Sequence, residues 1–177
     1  MTKLPRTPTT QRAMAGASLA GMVGGVFLTA AVWPVVWGLG LGATPGLLAG
    51  LAVLAWLVAR TVHELLHAAV HWAARRRVRI RLGLFAAAAE PVGPVPRNQQ
   101  LASLLAPFLV VTAAALAGAA TADAAWVWTL WLIVGGFNAL GSVQDLAEAV
   151  ELIRFPSASF VEDRPDGMAI RTGPEGT

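Results

Sequence analysis

The sequence contains no cysteine and no tyrosine, only three histidines, and few charges for its length. Without cysteine there is no disulfide framework and no thiolate metal site, so a bound metal has to use His, Asp or Glu. Charged residues make up 13% of the chain, against roughly 25% in a soluble domain. The formal net charge of +3 is small and scattered, which argues against a nucleic-acid partner. What is present instead is apolar: 56% of the 177 residues are hydrophobic, and Ala and Gly are abundant. The length fits a single domain spanning 1–177.

A spanning helix needs about 20 mostly apolar residues. Four stretches reach that length, at about 13–39, 47–73, 101–120 and 125–152. The expectation is therefore an all-α membrane protein of four transmembrane helices, with a small cytoplasmic tail at 153–177. The first stretch follows Lys3, Arg6 and Arg12, as a signal peptide would. Its apolar run exceeds the roughly 7–15 residues of a signal core, so it reads as a retained anchor. Basic residues gather in three places: that N-terminus, the "RRRVRIR" of 75–81 with Arg97, and a tail carrying Arg154, Arg164 and Arg171. The connections "GLGATPG" and "TADAA" have none. This asymmetry points to a multi-pass protein of the cell membrane with both termini cytoplasmic. The lipid bilayer is then its first partner. Trp33, Trp37, Trp126, Trp128 and Trp131 fall near the outer ends and Trp72 near an inner end, as an aromatic belt would. Ala17, Gly21 and Gly25 recur every four residues and make a close-packing face. Between the second and third stretches, "VRIRL" at 78–82 alternates apolar and charged residues, which predicts a short strand or hairpin at the membrane surface. In the tail, two β-like runs flank Pro165, Asp166 and Gly167, the signal of a second hairpin.

All three histidines lie in "RTVHELLHAAVH", inside the second apolar stretch, with Glu64 among them. A charged residue near a bilayer centre costs about 3 kcal/mol or more, so such a cluster needs a partner. Positions four apart share a helix face, so His63 and His67 present two imidazoles to one point. Glu64 stands beside them, in the H-E-x-x-H pattern of two metal ligands and a general base. A catalytic zinc usually has three protein ligands and keeps a position for water. Asp145, an acid well inside the fourth apolar stretch, is the candidate third ligand. His67 precedes Arg75 by eight residues and Asp145 precedes Arg154 by nine. At about 1.5 Å per residue both lie roughly 12–14 Å inward of the basic flank. Glu148, one turn nearer the cytoplasm, is the rival ligand, while Glu151 lies close to Arg154 and reads as solvated. His71 could pair with His67, but that pair has no Glu in the base position. Asn138 lies seven residues before Asp145 and faces nearly the same way. It is a candidate either for holding a substrate backbone or for an interhelical hydrogen bond. Pro107 in "LLAPFLV" would bend the third stretch and free a carbonyl.

"HELLH" at 63–67 together with "NALGSVQDL" at 138–146 resembles the site-2 protease type of intramembrane zinc metalloprotease. The chain is more similar to a microbial group of short zincin peptidases, in "LLAPF" at 104–108 and "DRPDGMAI" at 163–170. The likeness covers about 62–170. It implies a zinc peptidase with His63, His67 and Asp145 as ligands, Glu64 as base and Asn138 positioning the substrate. The substrate would be a membrane-associated protein or peptide. Gly141 and Leu146 stand where site-2 proteases usually carry Pro and Gly, and the Asn-to-Asp spacing is one residue shorter. A different class, a non-catalytic membrane protein binding a metal or haem, would also use buried helical histidines.

Overall fold

The computed structural model of the chain describes residues 2–5, 45–82, 87–164 and 167–172. Four helices occupy most of that length: α1 Pro45–Ala73, α2 Arg97–Ala120, α3 Ala125–Gly141 and α4 Val143–Ile153. α1 opens on Pro45, whose fixed φ suits a first helical position. It ends where Arg75 takes a left-handed φ of 58°. That reversal lets Arg76 N–H donate to His71 O at 3.0 Å and satisfy a terminal carbonyl.

Among the described residues six strands accompany the helices. β2 Val78–Leu82 and β3 Ala87–Pro91 form an antiparallel ribbon, from Val78 opposite Pro91 to Leu82 opposite Ala87. The second sheet has the order β1-β6-β5-β4, all antiparallel. Its strands are β1 Thr2–Pro5, β4 Val95–Pro96, β5 Ser159–Arg164 and β6 Gly167–Thr172. β5 and β6 form a hairpin closing at Arg164 opposite Gly167. This sheet joins segments from both ends of the chain and the segment just before α2. Leu104 of α2, Ala149 and Leu152 of α4, and Val161, Met168 and Ile170 of the sheet form one buried cluster. Arg97 ties the elements together, donating to Leu152 O at 3.1 Å and Ile153 O at 2.7 Å. A cation at those carbonyls also suits the negative end of the α4 dipole.

The expectation of a four-span, all-α protein is corrected on two counts. The described residues contain two antiparallel sheets. Among them only Arg97–Ala120 is by itself long and apolar enough to cross a membrane, with a second crossing if Val127–Gly141 and Val143–Ile153 count as one broken span. The first predicted stretch, 13–39, with its Gly face and Trp33 and Trp37, lies outside the described residues. The fourth is not one helix but two, bent by 45°. Hydropathy reads the stretch as continuous because the residues at the break, 139–143, are small or apolar. The break has a local cause at Gly141–Ser142. The Ser142 hydroxyl donates back to Asn138 O at 2.8 Å, and its own N–H shares that carbonyl at 2.9 Å. Such back-bonding bends helices.

α2 and α3 pack through small residues. A Cβ added at Gly118 would collide with the Trp131 indole, and one at Gly135 would lie 3.0 Å from the Ala115 Cβ. Many buried positions on the helices are small, among them Ala59, Ala68, Ser103, Ala115, Ala119 and Ala149, beside the larger Leu104, Val111, Ile133 and Leu152. Other large apolar side chains point outward: Val53, Leu54 and Val58 on α1, Leu109, Val110 and Leu116 on α2, Val150 and Ile153 on α4.

Candidate metal centre

Helical periodicity puts His63 and His67 on the same inward face of α1, and both are buried. Their ring centroids lie 4.9 Å apart, with the planes at 70°. The break at Ser142 places Asp145 in the first turn of α4, where amide dipoles favour negative charge. Its Oδ2 lies 2.9 Å from His63 Nε2 and 3.5 Å from His67 Nε2. The ligand atoms of the three residues all fall within 4.8 Å of one another.

The outer nitrogen of each ring is taken. His67 Nδ1 lies 2.9 Å from the backbone O of Ser103, and Ser103 Oγ donates to His67 O at 3.3 Å. His63 Nδ1 lies 3.2 Å from Asn138 Oδ1. The Asn138 amide is oriented by its other end, where Nδ2 donates to Pro107 O at 3.1 Å. Carbonyl and amide oxygens only accept, so each Nδ1 carries a proton and donates. In neutral rings each Nε2 is then a bare lone pair, and both face a carboxylate oxygen. Three lone pairs converge, an arrangement that repels unless a cation lies among them.

A zinc ion fits these donors. With bonds of about 2.0–2.1 Å, the ligand atoms of a tetrahedral site stand about 3.3 Å apart. The contacts at 2.9 and 3.5 Å bracket that spacing. The donor chemistry of two imidazoles and one carboxylate is that of a catalytic site with a position left for water.

The other polar residues of the region lie outside the cluster. Glu64 is half-buried, and its carboxylate interacts electrostatically with His63, His67, Asp145 and Arg60. Arg60 stacks over Trp56 at 5.6 Å and keeps a buried Nε with no hydrogen-bond partner. Glu148 accepts from Gln144 Nε2 at 3.1 Å. His71 is buried away from the centre, where Nδ1 accepts from Gln99 Nε2 at 3.1 Å. Gln99 Oε1 in turn accepts from Arg76 Nε at 3.0 Å, and Arg76 also reaches Pro94 O. This chain of bonds fastens the end of α1 to the start of α2. Sequence reasoning missed Ser103 and Gln99. For Gln99 the sequence carries no signal, while for Ser103 the signal was Pro107, four residues on.

A family model described as "Putative zincin peptidase" matches residues 56–160, more than half of the chain. The match takes in α1 from Trp56, both histidines, Asn138 and Asp145. No curated protein and no solved structure matches the chain.

Proposed function

Because the chain belongs to that zincin peptidase family, we propose that it is a membrane-embedded zinc metallopeptidase that hydrolyses peptide bonds of membrane-associated proteins or peptides. The observation that carries this reading is the meeting of Asp145 Oδ2 with both Nε2 atoms at 2.9 and 3.5 Å. Bound there, zinc supplies Lewis acidity, activating water near neutral pH and polarising the scissile carbonyl. His63 and His67 would hold it through Nε2 and Asp145 through Oδ2. Glu64 is the base: its carboxylate takes the proton of the attacking water and later delivers it to the leaving amine.

The packing pattern supports a lipid setting. Several buried positions on α1 and α2 are small, Ala59, Ala68, Ser103, Ala115 and Ala119, while Leu116 is 62% and Leu109 58% exposed. In water an apolar surface of this kind is an aggregation liability; in lipid it is solvated. The sheet that gathers residues 2–5, 95–96, 159–164 and 167–172 includes Lys3 and Arg171, and its strand β4 directly precedes Arg97 in the chain. It supports a cell-membrane protein with both ends on the cytoplasmic side. A membrane helix hides its amides in its own hydrogen bonds, so a substrate has to unwind before attack. The ribbon β2–β3 offers it an alternative. Among the described residues β2 pairs only with β3, and its outer edge is free to take an extended substrate as a further strand.

Metal analysis of the purified full chain tests the centre. One zinc per chain is expected in the wild type, with loss in His67→Ala and Asp145→Ala. Full metal in both variants sinks the proposal.

A further inference from the structure

We propose that a single turn of α2, Ser103 to Pro107, sets both imidazoles for metal binding, with Pro107 as a positioning residue acting on His67 and Asn138 as one acting on His63. This deepens the metal-centre reading and rests on it, but its first readout is independent of metal.

In an α-helix each N–H donates to the carbonyl four residues back. Pro107 has no N–H, so the carbonyl of Ser103 is released from the helix ladder. Ser103 is buried, so its released oxygen needs a partner within the protein. The released oxygen is the atom that meets His67 Nδ1 at 2.9 Å. A residue with an N–H at 107 would compete for that oxygen. Pro107 thereby commits His67 to the Nδ1–H tautomer and leaves Nε2 bare toward Asp145. The same residue acts on the other ring through its own carbonyl. Pro107 O accepts from Asn138 Nδ2 at 3.1 Å, which turns Oδ1 toward His63 Nδ1 at 3.2 Å. Asn138 is 2% exposed and has both ends of its amide engaged. Its work is to hold a ligand: Oδ1 is committed to His63, and Nδ2 gives one of its two hydrogens to Pro107 O. One proline thus replaces two separate orienting groups: the backbone of its own turn orients one histidine directly, and the other through an amide.

The chain has three histidines, so imidazole ¹⁵N resonances can be resolved in the full-length protein in detergent. The comparison is wild type, Pro107→Ala and Asn138→Leu, each checked for helix content. In metal-free wild type, above the ordinary imidazole titration range, His67 should carry its proton on Nδ1. In Pro107→Ala that resonance should move toward the Nε2–H form. Zinc affinity by chelator competition should fall about 10–100-fold in Pro107→Ala and in Asn138→Leu, as when the outer partner of a ligating histidine is removed. The visible spectrum of the cobalt form should change with it. An unchanged His67 tautomer in folded Pro107→Ala overturns the assignment of Pro107. If Pro107→Ala does not fold, Asn138→Leu decides: wild-type affinity and cobalt spectrum there overturn the proposal, and weakened affinity supports it. If the wild type takes up no metal yet shows the His67 tautomer and its loss in Pro107→Ala, the positioning stands and the peptidase reading falls.

Discussion

Glu64→Gln separates base from ligand. The three converging ligand atoms belong to His63, His67 and Asp145, and Glu64 contributes none of them. Removing its charge should therefore leave one zinc per chain. It should remove the general base, a contribution of about 10²–10⁴ in rate, or roughly 2.7–5.4 kcal/mol of barrier. Glu64→Asp gives a graded control. It keeps the carboxylate but withdraws it by one C–C bond, about 1.5 Å. A displacement of that order costs about 10²-fold where a proton has to be handed over in place. The order of rates is then wild type, Glu64→Asp, Glu64→Gln, at constant metal content. The assay is single-turnover cleavage of quenched fluorogenic transmembrane peptides in nanodiscs, with metal measured on the same samples. Cleavage unchanged in Glu64→Gln means that the base lies elsewhere. Metal lost in that variant means that Glu64 is a ligand and the geometry has been misread.

Zinc at about 100-fold over its dissociation constant should stabilise the fold by about 2.7 kcal/mol, so chelation should lower the melting temperature by about 5–11 °C; no shift would show that the centre holds nothing. Gly118→Ala drives a methyl into the Trp131 ring. Overpacking of about 1–3 kcal/mol should outweigh the ~1 kcal/mol gain in helix propensity and lower the melting temperature. Gly50→Ala, with nothing within 4 Å of the added Cβ, should not lower it. Leu109→Arg puts a charge on a residue 58% exposed to the proposed lipid, near the middle of Arg97–Ala120, at a cost of about 2.5–3.5 kcal/mol. Alkaline carbonate should extract more of that variant than of wild type, and equal extraction argues against lipid contact there. Finally, an absorbance scan of the purified protein should lack a Soret band, since His63 and His67 share one carboxylate on one helix face; a strong band would favour the haem class.

The parts of the site legible in the sequence were those set by local periodicity. The pairing of His63 with His67 follows from a spacing of four on a helix. Asp145 was within reach because its nine-residue distance to the flanking Arg154 nearly matched the eight residues from His67 to Arg75, a measure along the sequence that does not depend on the helix being unbroken. What lay out of reach depends on which helix faces which. Asn138 left two readings open, and its amide turns out to span from Pro107 to His63. The fold was less legible than the site. Hydropathy averages over windows and does not register a bend at Gly141–Ser142. Nor does it see that Thr2–Pro5 pairs with Gly167–Thr172, since nothing in a pattern of apolar residues joins the two ends of a chain.

That bend has a consequence for the chemistry. Asn138 and Asp145 grip the same imidazole, one at Nδ1 and the other at Nε2. The two nitrogens stand barely two bond lengths apart. On a straight helix the Cα atoms of residues seven apart are separated by about 10.5 Å along the axis. Two short side chains reaching for opposite edges of one small ring from that span would both have to lean inward. Folding the helix by 45° between them shortens the span and turns the carboxylate toward the ring. The same break gives Asp145 a place in the first turn of a helix, where the dipole favours its charge, which a continuous helix would not do. A chain element that looks like an interrupted span is therefore what allows one histidine to be held from behind and charged from the front. Restoring a straight helix there would separate those two functions before it disturbed the packing around them.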